Sequence, residues 1–127
     1  MEKTSLNELA AAVHENAVAH GWWEEERGLP EVLMLCVSEL AEALEEYRAN
    51  KPNLYFEVEE EATLYADGVA VETVTREKPE GVAVELADCV IRILDYCGHA
   101  GIDIEEAIRI KHEYNKSRPY RHGGKKC

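Results

Sequence analysis

Apolar residues recur three and four residues apart in four stretches of the chain, and this spacing predicts four helices. Gly21 is a natural stop for the first helix, and Pro30 suits the first turn of the second. Asp103, with an acid three residues later, is a typical N-cap for the fourth. The predicted helices span about Ser5–His20, Pro30–Arg48, Pro79 or Glu80 to His99, and Asp103–Lys116.

Residues 50–80 have a different pattern. Asn50-Lys51-Pro52-Asn53 breaks a helix, and Asp67-Gly68 is a hairpin turn signal between strand-forming residues. We therefore expect a small, mostly exposed β-hairpin or irregular excursion between helices two and three. It is interpreted as a lid, an oligomer contact or a specificity element. The predicted fold class is all-α, a four-helix bundle with this insertion, in one domain over residues 1–127 that ends in a basic tail at 119–127.

The second and third predicted helices each have a polar stripe opposite an apolar side. The stripe residues are Glu39, Glu42, Glu45 and Glu46 on helix two, and Glu85, Asp88, Arg92, Asp95 and His99 on helix three. The apolar sides consist of Val32, Leu33, Cys36, Val37, Leu40, Ala41, Leu44 and Tyr47, and of Val84, Ala87, Val90, Ile91 and Leu94. The simplest interpretation is two amphipathic helices whose polar sides meet solvent.

Two features favour a cation site over a solvated surface. Residues 30–47 contain five Glu and no Lys or Arg, although solvated faces usually mix charges. An acidic pair three residues apart also occurs on each helix, namely Glu39 with Glu42 and Glu85 with Asp88. If the helices pack antiparallel, four carboxylates converge and require a cation. Hard oxygen ligands select Mg²⁺, Mn²⁺ or Ca²⁺ rather than zinc.

The charge is unevenly distributed. The chain has 14 Lys+Arg and 26 Asp+Glu, a net charge of −12, which disfavours non-specific binding to nucleic acid or an anionic membrane. Residues 1–108 carry 7 basic and 25 acidic side chains, whereas residues 109–127 carry 7 and 1. Lys111, Asn115 and Arg118 follow at intervals of four and three, so they form either a phosphate-binding face or an ordinary basic helix end.

Neither a secretion signal nor a membrane span is predicted. The N-terminus lacks an apolar stretch, and no apolar run approaches the ~18 residues that a membrane helix needs. Four cysteines occur without a C-x-x-C pair, which is typical of thiols in a reducing compartment. The expected location is the cytoplasm.

Two motifs resemble the all-α nucleoside triphosphate pyrophosphohydrolases of the MazG type. They are Ser-Glu-Leu-Ala-Glu-Ala-Leu-Glu-Glu at 38–46 and Val-Glu-Leu-Ala-Asp at 84–88, supported by residues 101–108 and 113–126. The resemblance covers roughly residues 5–49 and 79–126. It implies a MazG-like helical bundle that forms a homodimer or homotetramer. It also implies hydrolysis of a (d)NTP to (d)NMP and pyrophosphate with Mg²⁺, or Mn²⁺ as the alternative.

The resemblance also implies roles for individual residues. Glu39, Glu42, Glu85 and Asp88 match the metal ligands. Lys111 and Asn115 match contacts to phosphate or sugar, and His14 and Trp23 match contacts to the base. Two departures from the family pattern are the 42 residues between the acidic pairs, more than is usual, and Ser38 where many members carry Glu.

The reaction that follows is metal-assisted hydrolysis between the α- and β-phosphates. Glu42 or Glu46 would accept a proton from water, and Lys111 and Arg118 would offset charge on the leaving pyrophosphate. Two alternatives stay open. One is a non-catalytic acidic helical module that binds a basic partner or mimics nucleic acid. The other is a phosphohydrolase of the same fold that acts on a phosphoribosyl nucleotide.

Overall fold

The computed structural model describes residues 3–64 and 70–120, and this part of the chain contains four α-helices and two β-strands. The elements are α1 (Leu6–Ala19), α2 (Leu29–Arg48), β1 (Tyr55–Leu64), β2 (Ala70–Glu80), α3 (Val82–Ala100) and α4 (Ile104–Ser117). Four helices were predicted, and this number is confirmed. The predicted turn at Asp67-Gly68 and the basic tail beyond residue 120 lie outside the described residues. None of the described helices has both the length and the apolar composition needed to cross a membrane.

The predicted all-α fold class is wrong, because the insertion between α2 and α3 forms two long strands. β1 has 10 residues and β2 has 11, and they pair antiparallel with Tyr55 opposite Glu80. Cross-strand ion pairs support this register, since Arg76 lies 3.5 Å from Glu59 and 2.6 Å from Glu61. The protein therefore has mixed helix and strand content.

The third helix begins later than predicted. Pro79 and Glu80 belong to β2, and α3 begins at Val82. Gly81 turns the chain between the two elements with a φ of +116°, and a Cβ at this position would collide with the carbonyl group of Asn53. Only glycine fits such a turn. The turn therefore fixes the foot of the hairpin, which is the end where Tyr55 pairs with Glu80, at the start of α3.

The chain divides into two compact units, and the divisions fall inside α2 and α3. Unit 1 consists of residues 1–32 and 91–127, and unit 2 of residues 33–90. The buried apolar residues are Ala10, Val32, Leu94 and Cys97 in unit 1, and Cys36, Ala43 and Cys89 in unit 2. Most of these side chains are small, so each unit has a thin apolar core within the described chain.

The polar sides of α2 and α3 turn acids inward, whereas much of the predicted apolar side of α2 is exposed. Glu39 and Glu85 are only 6% and 8% exposed. The apolar side chains of Leu33, Val37 and Leu40 are about half exposed. The interpretation that the polar sides meet solvent is therefore wrong for Glu39 and Glu85, because helix packing in unit 2 encloses them.

Side-chain caps set the ends of two helices in unit 1. The Ser5 hydroxyl accepts a hydrogen bond from the Glu8 amide at 3.1 Å, and Asp103 accepts one from the Glu106 amide at 3.0 Å. The predicted N-cap at Asp103 is thus confirmed. Asn7 also donates to Asp103 at 2.9 Å, which ties the start of α1 to the start of α4.

Candidate metal centre

α2 and α3 bring three carboxylates together in unit 2. Ligand oxygens of Glu39, Glu85 and Asp88 lie within 4.8 Å of one another. Glu39 and Glu85 are buried, and Asp88 is half-buried. Glu42 is exposed, and its carboxylate is a hydrogen-bonding neighbour of Glu85. The structure therefore gathers three of the four predicted ligands into one group and places the fourth beside it.

Helical spacing explains how α2 supplies carboxylates to this region. The inward positions of α2 in unit 2 include Cys36, Glu39, Ala43 and Glu46, at intervals of three and four residues. Positions with this spacing share one side of a helix. Glu39 and Glu46 therefore point inward together, whereas Glu45 is exposed.

Glu85 is a strongly perturbed acid of the group. Its Oε2 is buried and has no hydrogen-bond partner within the described residues. Burial raises the pKa of Glu85 to about 8, with further contributions from hydrogen bonding to Glu42 and Glu39 and from repulsion by Glu42 and Asp88. A buried carboxylate among other carboxylates is costly unless a cation or a proton neutralises it.

The group formed by Glu39, Glu85 and Asp88 can hold a metal ion. It offers oxygen ligands only, which suit hard divalent cations better than zinc. The unpartnered oxygen of Glu85 is the feature that an ion would satisfy.

A second group of carboxylates lies at the foot of the hairpin. Ligand oxygens of Glu46, Glu80 and Glu85 also lie within 4.8 Å of one another. The Tyr55 hydroxyl donates to both oxygens of Glu46, at 2.9 and 3.1 Å, and this hydrogen bond raises the pKa of Tyr55 to about 12. Sequence reasoning missed Glu80 and Tyr55 because it expected Glu80 to begin a helix. Only the strand register reveals that the two residues are opposite each other.

A different polar cluster lies in unit 1 around the buried carboxylate of Asp95. His14 Nδ1 donates to Asp95 Oδ1 at 2.8 Å, and Trp23 Nε1 donates to both Asp95 oxygens at 3.0 and 3.2 Å. His99 stacks on Trp23 with the ring centroids 3.8 Å apart. The structure thus makes His14 and Trp23 neighbours. Asp95 and His99 were not predicted as site residues, although their i,i+4 spacing on the polar stripe was a signal.

The three polar residues predicted as phosphate contacts lie near the end of α4. Lys111 and Asn115 line a surface pocket of about 370 Å³ together with Ala107, Ile108 and His112. Lys111 Nζ lies 4.7 Å from the centre of the Tyr114 ring, and Arg118 Cζ lies 5.8 Å from it. Their role as substrate contacts stays a prediction.

Comparison with known proteins gives no match. No family model, no curated protein sequence and no solved structure matches the chain. The resemblance to MazG-type enzymes therefore stays a hypothesis from the two acidic motifs.

Proposed function

We propose that this protein is a Mg²⁺-dependent nucleoside triphosphate pyrophosphohydrolase, which cleaves a (d)NTP to (d)NMP and pyrophosphate. The observation that carries the proposal is the environment of Glu85. Its Oε2 is buried without a donor from the described residues, and oxygens of Glu39 and Asp88 lie within 4.8 Å of its carboxylate. A divalent cation would satisfy this oxygen and offset the repulsion among the acids.

Glu39, Glu85 and Asp88 would hold the cation, with Glu42 at the exposed edge of the group. When bound, Mg²⁺ supplies positive charge to phosphate oxygens and makes a coordinated water more acidic. Three carboxylates are fewer than the roughly six ligands that octahedral Mg²⁺ takes. The group therefore leaves ligand positions for water and for a triphosphate.

Glu42 is the better candidate for the proton acceptor. The sequence left a choice between Glu42 and Glu46 for this role. Both oxygens of Glu46 accept hydrogen bonds from Tyr55, and its side chain is half-buried. Glu42 is exposed, so water and substrate can reach its carboxylate. Glu42 would thus accept the proton of the attacking water, while the carboxylate of Glu46 is held by Tyr55.

An acidic binding module is the competing function. It accounts for the net charge of −12, but a surface that attracts a basic partner needs exposed acids. Glu39 and Glu85 are buried, and burying acids is costly without a bound cation. Burial therefore favours a bound cation, which the proposed enzyme requires and the binding module does not.

The test is product analysis with purified protein and a panel of canonical and damaged (d)NTPs and phosphoribosyl nucleotides, with Mg²⁺ or Mn²⁺. We expect pyrophosphate rather than orthophosphate from at least one triphosphate. Asp88→Asn should lower the rate by about 100-fold or more, because it removes a ligand charge. Glu45→Gln, an exposed acid on the same helix, is the matched control and should keep the activity. Full activity of a folded Asp88→Asn protein would contradict the assignment.

We also infer that the working state is a homo-oligomer. Exposed apolar side chains on α2 recur at intervals of four, three, four and three residues, which is the spacing of a helix–helix seam. They are Leu33, Val37, Leu40, Leu44 and Tyr47. Monomeric proteins rarely expose contiguous apolar patches above a few hundred Å². Light scattering should show an assembly that Leu40→Glu dissociates and Glu45→Lys does not; a monomeric parent protein would refute this inference.

A further inference from the structure

We propose that Glu46, Glu80 and Glu85 form a second divalent-cation site, which shares Glu85 with the first group and takes Glu80 from the foot of the hairpin. The ligand oxygens of these residues lie within 4.8 Å of one another. Because Glu85 is shared, the proposal rests in part on cation binding in the proposed function. It does not depend on which reaction the protein catalyses.

Glu85 is suited to bridge two cations. It is 8% exposed, and its Oε2 has no hydrogen-bond partner in the described chain. A carboxylate has two oxygens with about four lone-pair sites in total, so one carboxylate can serve two ions. Glu85 is also the residue that the two acidic groups have in common. Its unpartnered oxygen therefore points to a ligand rather than to a chance gathering of acids.

Tyr55 fixes the second ligand, Glu46. Its hydroxyl lies 2.9 Å from one oxygen of Glu46 and 3.1 Å from the other, so a single hydrogen is shared between them. This arrangement orients the carboxylate and leaves lone pairs on both oxygens for a cation. Tyr55 is therefore a positioning residue for the site.

The hairpin supplies the third ligand, Glu80, from the strand position that pairs with Tyr55. Glu80 is the last residue of β2 and lies directly opposite Tyr55 in the strand register. The foot of the hairpin is held by the tight turn at Gly81 and by a 2.9 Å hydrogen bond from the Ala83 amide to the Asn53 carbonyl. This strand pair thus supplies one ligand, Glu80, and the Tyr55 hydroxyl, which orients another ligand, Glu46. On this proposal the insertion is part of the metal centre.

The charges near Glu80 leave room for a divalent cation. Lys78 Nζ lies 3.0 Å from Glu80 Oε1, but the Lys78 side chain is 56% exposed, and exposed ion pairs are weak. Three ionised carboxylates carry three negative charges, of which Lys78 offsets one. A divalent cation would balance the other two.

The competing explanation is that Glu85 keeps a proton and shares it with the neighbouring carboxylates, with no cation at Glu46 and Glu80. Both explanations relieve the burial of Glu85. They differ in how many cations the chain binds and in whether Glu80 matters for binding.

The test is a Mn²⁺ titration of the full chain, without nucleotide. Electron paramagnetic resonance measures the free ion, which gives the number bound, and the spectrum of the bound ions, which reports their coupling. We expect two Mn²⁺ per chain, with the spin coupling of two ions that share a carboxylate. Glu80→Gln should lose one Mn²⁺ and the coupling, and Asp88→Asn should lose the other Mn²⁺. Tyr55→Phe should weaken the site that Glu80→Gln removes. Glu77→Gln, an exposed residue of β2 on the opposite face from Glu80, is the control and should still bind two ions.

Binding of one Mn²⁺ by the parent chain, or unchanged Mn²⁺ binding by a folded Glu80→Gln protein, would overturn the proposal. Circular dichroism of each variant establishes that it is folded. This outcome and that of the proposed function can be told apart. Two coupled ions in a protein without pyrophosphohydrolase activity would support the second cation site and refute the proposed reaction.

Discussion

α3 places one buried carboxyl group in each unit, and the two groups have opposite surroundings. Asp95 in unit 1 is 7% exposed and accepts hydrogen bonds from His14 and Trp23. Glu85 in unit 2 is 8% exposed, has other carboxylates as neighbours, and keeps one oxygen without a donor from the described residues. The two side chains are equally buried, so burial by itself does not distinguish a structural acid from a metal ligand.

The difference lies in what replaces the lost water. A buried carboxylate is stable when hydrogen-bond donors take the place of its hydration shell. Asp95 obtains its donors from the protein, so its site is complete without a ligand. Glu85 obtains none at its second oxygen from the part of the chain that the structure describes, and its neighbours are carboxylates, so its site requires a proton or a cation. Three changes test this contrast.

The largest expected effect is that of Glu85→Gln on Mg²⁺ binding. Parent protein at 100 times its dissociation constant for Mg²⁺ should gain about 2.7 kcal/mol in the free energy of unfolding. Glu85→Gln should abolish this gain, because the amide supplies no negative charge to the ion. The metal-free variant should be at least as stable as the parent protein, since a neutral side chain relieves the repulsion. Chemical denaturation with and without Mg²⁺ measures both quantities.

Glu45→Gln is the control for this change, because Glu45 is exposed on α2 and its carboxylate accepts a hydrogen bond from Arg48 at 3.4 Å. It should keep the full response to Mg²⁺. A Glu85→Gln protein that Mg²⁺ stabilises as much as the parent would remove the distinction between the two buried acids.

The second effect is on the pH dependence of stability. The pKa of Glu85 is raised from 4.5 to about 8, so between these values the folded protein holds a proton that the unfolded chain has released. The free energy of unfolding of metal-free protein should therefore fall as pH rises from about 5 to 8, by at most about 1.4 kcal/mol per pH unit. Saturating Mg²⁺ should flatten this fall, because the ion binds the ionised form. Urea titrations at several pH values give the slope of the free energy of unfolding against pH. An equal slope in Glu85→Gln would show that other groups cause the fall.

The smallest effect is that of Asp95→Asn. An asparagine keeps one acceptor oxygen but turns an NH₂ group toward His14 or Trp23, which leaves a buried donor without an acceptor. The free energy of unfolding should fall by about 1–2 kcal/mol, with no change in the stabilisation by Mg²⁺. Asp103→Asn is the control, since asparagine caps a helix as well as aspartate does. Loss of the Mg²⁺ response in Asp95→Asn would show that the two acids do not act separately.

The helices and part of the carboxylate cluster were predictable from local patterns. Apolar spacing predicted four helices, and Asp103 predicted the start of the last one, because these signals act within a few residues. The paired spacing of Glu39 with Glu42 and of Glu85 with Asp88 predicted that acids on two helices would meet. Glu39, Glu85 and Asp88 do meet in the structure.

The strands and their contribution to the cluster were not predictable in the same way. The insertion was expected to be small, and its end at Pro79 and Glu80 was assigned to helix three. Those residues are extended because they pair with β1, and a pairing partner 23 or 25 residues away leaves little trace in local sequence. The positions of Tyr55 and Glu80 at the foot of the hairpin follow from that pairing.

The sequence by itself determined where the helices form and which carboxylates share a helical side, because both depend on spacing along the chain. It did not determine which side of each helix is enclosed. The tertiary structure decided that Glu39 and Glu85 are buried while Leu33 and Leu40 are exposed. It also decided that Asp95 has donors and that one oxygen of Glu85 has none among residues 3–64 and 70–120. The physical reason is that burial and hydrogen bonding depend on atoms brought close by packing, and these atoms are distant in the sequence.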